Sequence, residues 1–159
     1  LCHYDQIIDE RKDMNEIIQA KKYFQLIINN YPNTDYAQDS KYKLDYINEI
    51  MASKEMYLAN YYVQREKWIP AIKRYQNVIK DHETTIFVEE ALHRLVELNY
   101  KLGLVEEAEK YAALLGYNYQ SSAWYEASYK LINKNYKIKK IRKKDNKDTI
   151  LKKFQKLFK

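Results

Sequence analysis

Apolar residues recur at helical spacing early in the chain. Ile17, Ala20, Phe24, Ile27 and Ile28 are separated by Lys21, Lys22, Gln25 and Asn29, which predicts a helix with one apolar face. That pattern stops at NYPNT, one of three five-residue breaks that each follow an apolar run. The others are DHETT and NYQSS; the three begin at residues 30, 81 and 118, at intervals of 51 and 37. Aligned on these breaks, the same slots fill again. Ala20 corresponds to Ala71 and Ala108, Phe24 to Tyr75 and Ala112, and Ile27 to Val78 and Leu115. A small residue lets a neighbouring backbone approach, and the ring four positions on fills the adjacent space.

A small residue, a ring and an aliphatic residue before each break make the pattern of tetratricopeptide-like helix pairs, with a usual period of about 34 residues. The expected fold is therefore all-α, a helical-repeat solenoid. The partner helix is clearest in the third copy, where Val88, Ala91, Leu92, Leu95, Val96 and Leu102 form an apolar stripe. The first interval exceeds the second by 14 residues, about four helical turns. Between Asn33 and Ile69 there is no Gly or Pro, while Tyr36, Leu44, Ile47, Ile50, Met51, Leu58 and Tyr62 keep helical spacing. This predicts one long helix near 35–66, about 48 Å long, with Asp35 and Gln38 as a capping box. Pro70 is expected in a first helical turn, and Gly103 and Gly116 in the left-handed position that closes a helix.

The chain divides into a repeat array over 1–132 of about three repeats, the first partial; a basic linker over 133–147; and a basic amphipathic helix over 148–159. In the last of these, Ile150, Leu151, Phe154, Leu157 and Phe158 share a face opposite Lys152, Lys153, Gln155, Lys156 and Lys159. Trp124 and Leu131 are expected to cap the array. Only two glycines and two prolines occur, which agrees with a mostly helical chain. No apolar run approaches the roughly 18–20 residues that span a bilayer, and no stretch reads as a secretory signal.

Charge sharpens the division. Residues 133–159 hold twelve Lys/Arg against two Asp, a formal +10. Residues 1–132 hold sixteen Lys/Arg against twenty Asp/Glu, a formal −4. Any electrostatic partner of the tail thus need not be one of the body. Lys152, Phe154, Leu157 and Phe158 are the candidate contacts to an anionic membrane surface or to a partner's groove.

Enzyme chemistry finds little support. His3, His82 and His93 are too scattered to form a zinc site with the lone Cys2. Glu90-x-x-His93 has the spacing of di-iron helices but lacks the second copy they need, so a surface helix pair is expected. No Gly-rich phosphate loop or Ser elbow is present, and no cofactor or metal is expected. Cys2 falls in LCHYDQIIDERK, which reads as a helix, so a buried thiol is expected there rather than a lipid anchor. Seventeen tyrosines beside a basic tail could stack on nucleic-acid bases; at helical spacing they are expected to pack instead.

YDQIID, YPNTDYAQDSKYKLDYI, KEMYLANYYVQREKWIPAIKRYQNVIKD and EEALHRLVELNYKLGLVEEAEKYAALLGYNYQSSAWYEASYKL follow one another in order. This order resembles the C-terminal part of the BamD family, the tetratricopeptide lipoproteins of the outer-membrane β-barrel assembly machine. The resemblance covers roughly residues 1–132 and is nearest the alphaproteobacterial members. It implies a non-enzymatic scaffold on the periplasmic face of the outer membrane, with five repeats and an N-terminal lipidated cysteine. On that basis this chain matches about the last three repeats, and Cys2 is not the anchor. The implied partners are the last POTRA domain of the barrel subunit BamA, other subunits of the machine, and unfolded outer-membrane proteins.

Within KWIPAIKRYQ, Arg74 matches an arginine that the family uses in docking BamA, and Arg65 matches a second basic position nearby. From spacing alone, Arg74 lies three residues past Ala71, off the apolar stripe and free to meet a partner. The chain departs from the family where Arg65-Glu66-Lys67 lacks the usual turn glycine and where DHETT replaces a Tyr-Pro turn. A cytoplasmic adaptor that grips peptide termini is a competing reading. Its groove candidates, Glu89, Glu90, His93, Glu97 and Lys101, are largely acidic, which suits a carboxylate poorly. A membrane-surface or nucleic-acid binder led by the tail is another reading, testable by deleting 133–159.

Overall fold

A computed structural model describes residues 14–133. Among the described residues there are six helices and no strand: α1 (Asn15–Asn30), α2 (Asp35–Gln64), α3 (Trp68–Asp81), α4 (Val88–Lys101), α5 (Val105–Asn118) and α6 (Ala123–Ile132). Consecutive helices pack on each other, and α6 also packs on α4. The expected all-α repeat architecture is what the chain adopts. The expected helix around Cys2, the linker over 133–147 and the terminal helix over 148–159 lie outside the described residues, save for Asn133.

The predicted long helix is α2, with 30 residues, about 45 Å in length. Its length follows from having to line two cores. Up to its middle, Leu44, Ile47, Ile50 and Met51 meet Ile17, Ala20, Phe24 and Ile27 of α1. Toward its end, Ala52, Met56 and Ala59 meet Ala71, Tyr75 and Val78 of α3, and this core continues into Val88, Ala91, Leu92, Leu95 and Leu98 of α4. A smaller cluster of Val96, Ala108 and Ala112 closes the far end against Leu131 and Ile132.

The aligned slots are the buried ones. Ala20, Ala71 and Ala108 are buried, as are Phe24, Tyr75 and Ala112. A larger side chain at any of the three alanines would overpack a helix contact, at a cost of about 1–3 kcal/mol. Trp124 packs on the main core and Leu131 on the smaller one, as expected of a closing helix.

Two of the breaks are capped turns. Thr34, not Asp35, is the N-cap of α2: its hydroxyl accepts the Ala37 N–H at 3.2 Å. Asp35 is instead the first helical residue, where its carboxylate complements the helix dipole. Ser122 caps α6 by accepting the Trp124 N–H. The DHETT turn is anchored on the middle of α2. His82 Nδ1 lies 2.6 Å from Asn48 Oδ1, Asn48 donates to Thr84 Oγ1, and Glu49 accepts the Ile86 N–H.

The two glycines act differently. Gly103 has φ +77 and ends α4 in the left-handed region, as predicted. Gly116 is not the expected left-handed closing residue: it lies inside α5 with no positive φ, where the Tyr125 ring of α6 comes close. The Arg65-Glu66-Lys67 turn keeps a left-handed residue without glycine, since Glu66 has φ +56.

Candidate functional site

Arg74 and Arg65 sit on the α2–α3 hairpin. α3 presents Ala71, Tyr75 and Val78 inward, which leaves Arg74 on the flank. Its side chain is 36% exposed. The position is as expected; the freedom is not. Arg74 Nη1 donates to Glu55 Oε1 at 3.0 Å and to Oε2 at 3.3 Å. Asn77, one turn further along α3, donates to the same Glu55 Oε2 at 2.9 Å. Glu55, on α2, is only 17% exposed. One carboxylate thus receives two donors from the neighbouring helix and fixes the guanidinium against the hairpin.

This arrangement leaves one side of the arginine open. Both bonds to Glu55 come from Nη1, and Nη2 and Nε donate to no group among the described residues. Those two nitrogens form the planar fork that grips a carboxylate by two parallel bonds. Below this pair a further bond ties α3 to α2. The buried Tyr75 ring sends its hydroxyl to Asn60 Oδ1 at 2.6 Å.

Arg65 is the C-cap residue of α2 and is exposed. Its guanidinium lies over the Tyr61 ring at 3.6 Å, a stacking worth about 0.5–1 kcal/mol at an exposed site. Tyr57, Tyr61 and Arg65 follow one another at four-residue spacing and are all exposed, so they share one outward face of α2.

Three groove candidates of the competing adaptor reading, Glu90, His93 and Glu97, are tied into one cluster through Arg94. His93 is buried, not a surface residue: its Nδ1 lies 2.8 Å from Ser128 Oγ and its ring 5.1 Å from that of Trp124, both on α6. Arg94 bridges Glu90 at 3.3 Å and Glu97 at 2.8 Å. His93 Nε2 faces Glu97 at 3.4 Å, and these contacts hold the Glu97 carboxyl down at about 2, the His93 contact first. Lys101 lies over the Trp68 ring at 3.9 Å. Ser128, His93 and Glu97 have the order of a hydrolytic triad, but Ser128 is fully buried, so no substrate carbonyl can reach its hydroxyl. The cluster clasps α6 to α4. No group of His, Cys, Asp and Glu among the described residues is arranged to hold a metal ion.

Glu55, Asn60, Asn77, Arg94 and Ser128 are the polar members of these clusters that the sequence did not single out. Each lies at an unremarkable polar position. Arg94 pairs with Glu90 and Glu97 of its own helix; for the others only the register between helices reveals the partner. Lys152, Phe154, Leu157 and Phe158 lie outside the described residues.

Residues 1–115 match the YfiO family, described as an outer membrane lipoprotein. The chain belongs to that family. Similar relatives bear the name outer membrane protein assembly factor BamD. The protein of Caulobacter vibrioides is 39% identical over 135 residues, covering 85% of this chain and 44% of its own length. That of Rickettsia prowazekii is 42% identical over 136 residues, covering 86% and 54%. The Vibrio cholerae protein is 30% identical over 112 residues, covering 70% and 46%. The chain thus spans about half the length of these relatives. The family match ends within α5, and the Rickettsia and Caulobacter matches are long enough to take in most of the described helices.

Proposed function

We propose that this chain forms a docking region of an outer-membrane assembly factor, a scaffold that works by binding and not by catalysis. The helical array supplies a rigid surface. Its α2–α3 hairpin docks the last POTRA domain of the barrel subunit BamA, at the periplasmic face of the outer membrane. Unfolded outer-membrane proteins and other subunits of the machine are further partners, and attachment to the membrane is through the family's lipidated cysteine. The relatives' names and the family match support the assembly role.

The observation that carries the docking reading is the half-exposed Arg74 guanidinium with an unused fork edge. A bidentate pair with a partner carboxylate at a partly desolvated interface costs about 2–5 kcal/mol to break, a loss of roughly thirtyfold or more in affinity. Arg74→Ala and Arg74→Glu are therefore expected to weaken binding to the isolated POTRA domain by at least that factor in calorimetric titration. Helicity stays unchanged, and stability falls by only about 1 kcal/mol as Glu55 loses one of its donors. Wild-type affinity in both variants would remove Arg74 from the interface.

A further inference from the structure

We infer that Glu55 is a positioning residue for docking: it holds Arg74 by one nitrogen so that the other edge meets the partner's carboxylate. The inference rests on the docking reading above. Nothing in the family resemblance or in the helical pattern points to Glu55; the geometry does.

Three observations carry it. The first is that the internal pair is one-sided. A surface Arg–Glu pair that served stability alone would gain most from two parallel bonds, yet here Nη1 takes both carboxylate oxygens, at 3.0 and 3.3 Å, and the fork edge is left over. The second is that Glu55 is itself held. Asn77 donates to its Oε2 at 2.9 Å, and the carboxylate is 17% exposed. Were it to swing away, the Asn77 amide and Arg74 Nη1 would both lose their acceptor, which disfavours exchange for an incoming carboxylate. The third is the entropy of the arginine. A free Arg side chain loses up to about 2 kcal/mol of rotamer freedom on being fixed. Glu55 imposes that restriction before the partner arrives, so docking is preorganised. The two carboxylates then flank a single guanidinium, one on each edge.

The opposite role is physically distinct. Were Glu55 a competitor that masks Arg74, its removal would free the guanidinium and tighten docking. The two roles predict changes of opposite sign in one measurement.

The test is titration of the POTRA domain with the full chain carrying Glu55→Ala, Glu55→Gln, Arg74→Ala, and the double variant Glu55→Ala/Arg74→Ala. Circular dichroism and thermal melting confirm that each is folded. The expected result is an affinity loss of about tenfold for Glu55→Ala. Glu55→Gln, which keeps an acceptor for Arg74, should lose about threefold or less. In the Arg74→Ala background, Glu55→Ala should cause no further loss; a purely structural effect of Glu55 would persist there. Tighter binding by Glu55→Ala overturns positioning in favour of masking. Equal losses in the two backgrounds also overturn it. Wild-type affinity for Glu55→Ala beside a clear loss for Arg74→Ala defeats the Glu55 role and leaves the docking reading intact. Wild-type affinity for Arg74→Ala defeats both.

Discussion

The Tyr125 ring lies so close over Gly116 that a β-carbon built at position 116 would fall 2.6 Å from Cε2. Glycine is costly inside α5 and is there because α6 crosses at that point. In an ordinary helix Gly→Ala stabilises by about 1 kcal/mol. Here the new methyl group forces the Tyr125 ring away, and that ring is in contact with Tyr129 at 4.8 Å between centroids. Gly116→Ala is expected to destabilise the chain by about 1 kcal/mol in urea denaturation. In a Tyr125→Leu background, where the ring is gone, the same change should become neutral or stabilising.

Glu66 occupies the left-handed region at φ 56 in the turn between α2 and α3. The turn needs this geometry: the Lys67 N–H reaches back to Tyr62 O at 2.9 Å, and the Glu66 N–H to Val63 O at 3.0 Å. An L-residue with a β-carbon is strained there by about 1–2 kcal/mol. Glycine relieves the strain but increases the freedom of the unfolded chain, which offsets about half of the gain. Glu66→Gly should therefore raise stability by about 0.5–1 kcal/mol and leave POTRA-domain binding unchanged, since the hydrogen bonds that join Arg74, Glu55 and Asn77 do not include Glu66. Glu66→Ala, which keeps the β-carbon, should give little or none of the increase.

Tyr75 joins the buried core to the hairpin surface through its bond to Asn60. Tyr75→Phe keeps the packed ring and removes one hydrogen bond, for an expected loss of about 1 kcal/mol. Tyr75→Ala empties the ring's space and should cost about 3–5 kcal/mol. Burial pushes the Tyr75 hydroxyl up to about 12 from 10.0. A raised pKa means the neutral form is favoured in the fold. That contribution is fully present below the unfolded value and is lost as pH rises through the folded one. The wild type should accordingly weaken on the alkaline side between these two values, and Tyr75→Phe should not share that part of the decline.

What the sequence made legible was periodicity: which face of each helix is apolar, where the breaks fall, and that 35–66 stays helical. Ala71, Tyr75 and Val78 could be placed inward from spacing alone. Periodicity fixes a residue's angle about its own helix axis but not its height against the next helix. Glu55 meeting Arg74, Asn48 meeting His82 and Ser128 meeting His93 all depend on that height. Hence Arg74 could be set on the flank while its internal partner went unseen. The glycines show a second limit. Left-handed geometry at Gly103 and close approach at Gly116 call for the same residue, and only the neighbouring helix tells them apart. At the start of α2, Thr34 and Asp35 are both cap residues in adjacent positions, and the backbone conformation selects Thr34.

Acid should loosen the array in two stages, at two different places. His82 is buried in the DHETT turn, and burial lowers its pKa below 6.5; the charges of Asp81 and Glu55 oppose this, and that of Lys21 adds to it. A depressed folded value means that stability is present above the unfolded pKa and lost as pH falls through the folded one. Below about pH 6.5 the unfolded chain takes up this proton more readily than the buried imidazole does, so the DHETT turn is the first place to lose stability. The second stage is at Glu97, whose carboxyl is held at about 2 against 4.5 by His93 first and then Arg94, with burial opposing. By the same sign rule its contribution is lost only between those values. Because Glu97 is 40% exposed, solvent screening keeps that second loss small. Urea denaturation from about pH 7 downward should show both limbs. His82→Gln should flatten the limb nearer neutrality, and Glu97→Gln the more acidic one. A wild-type stability that stays level between about pH 7 and pH 5 would show that protonating His82 does not strain the turn.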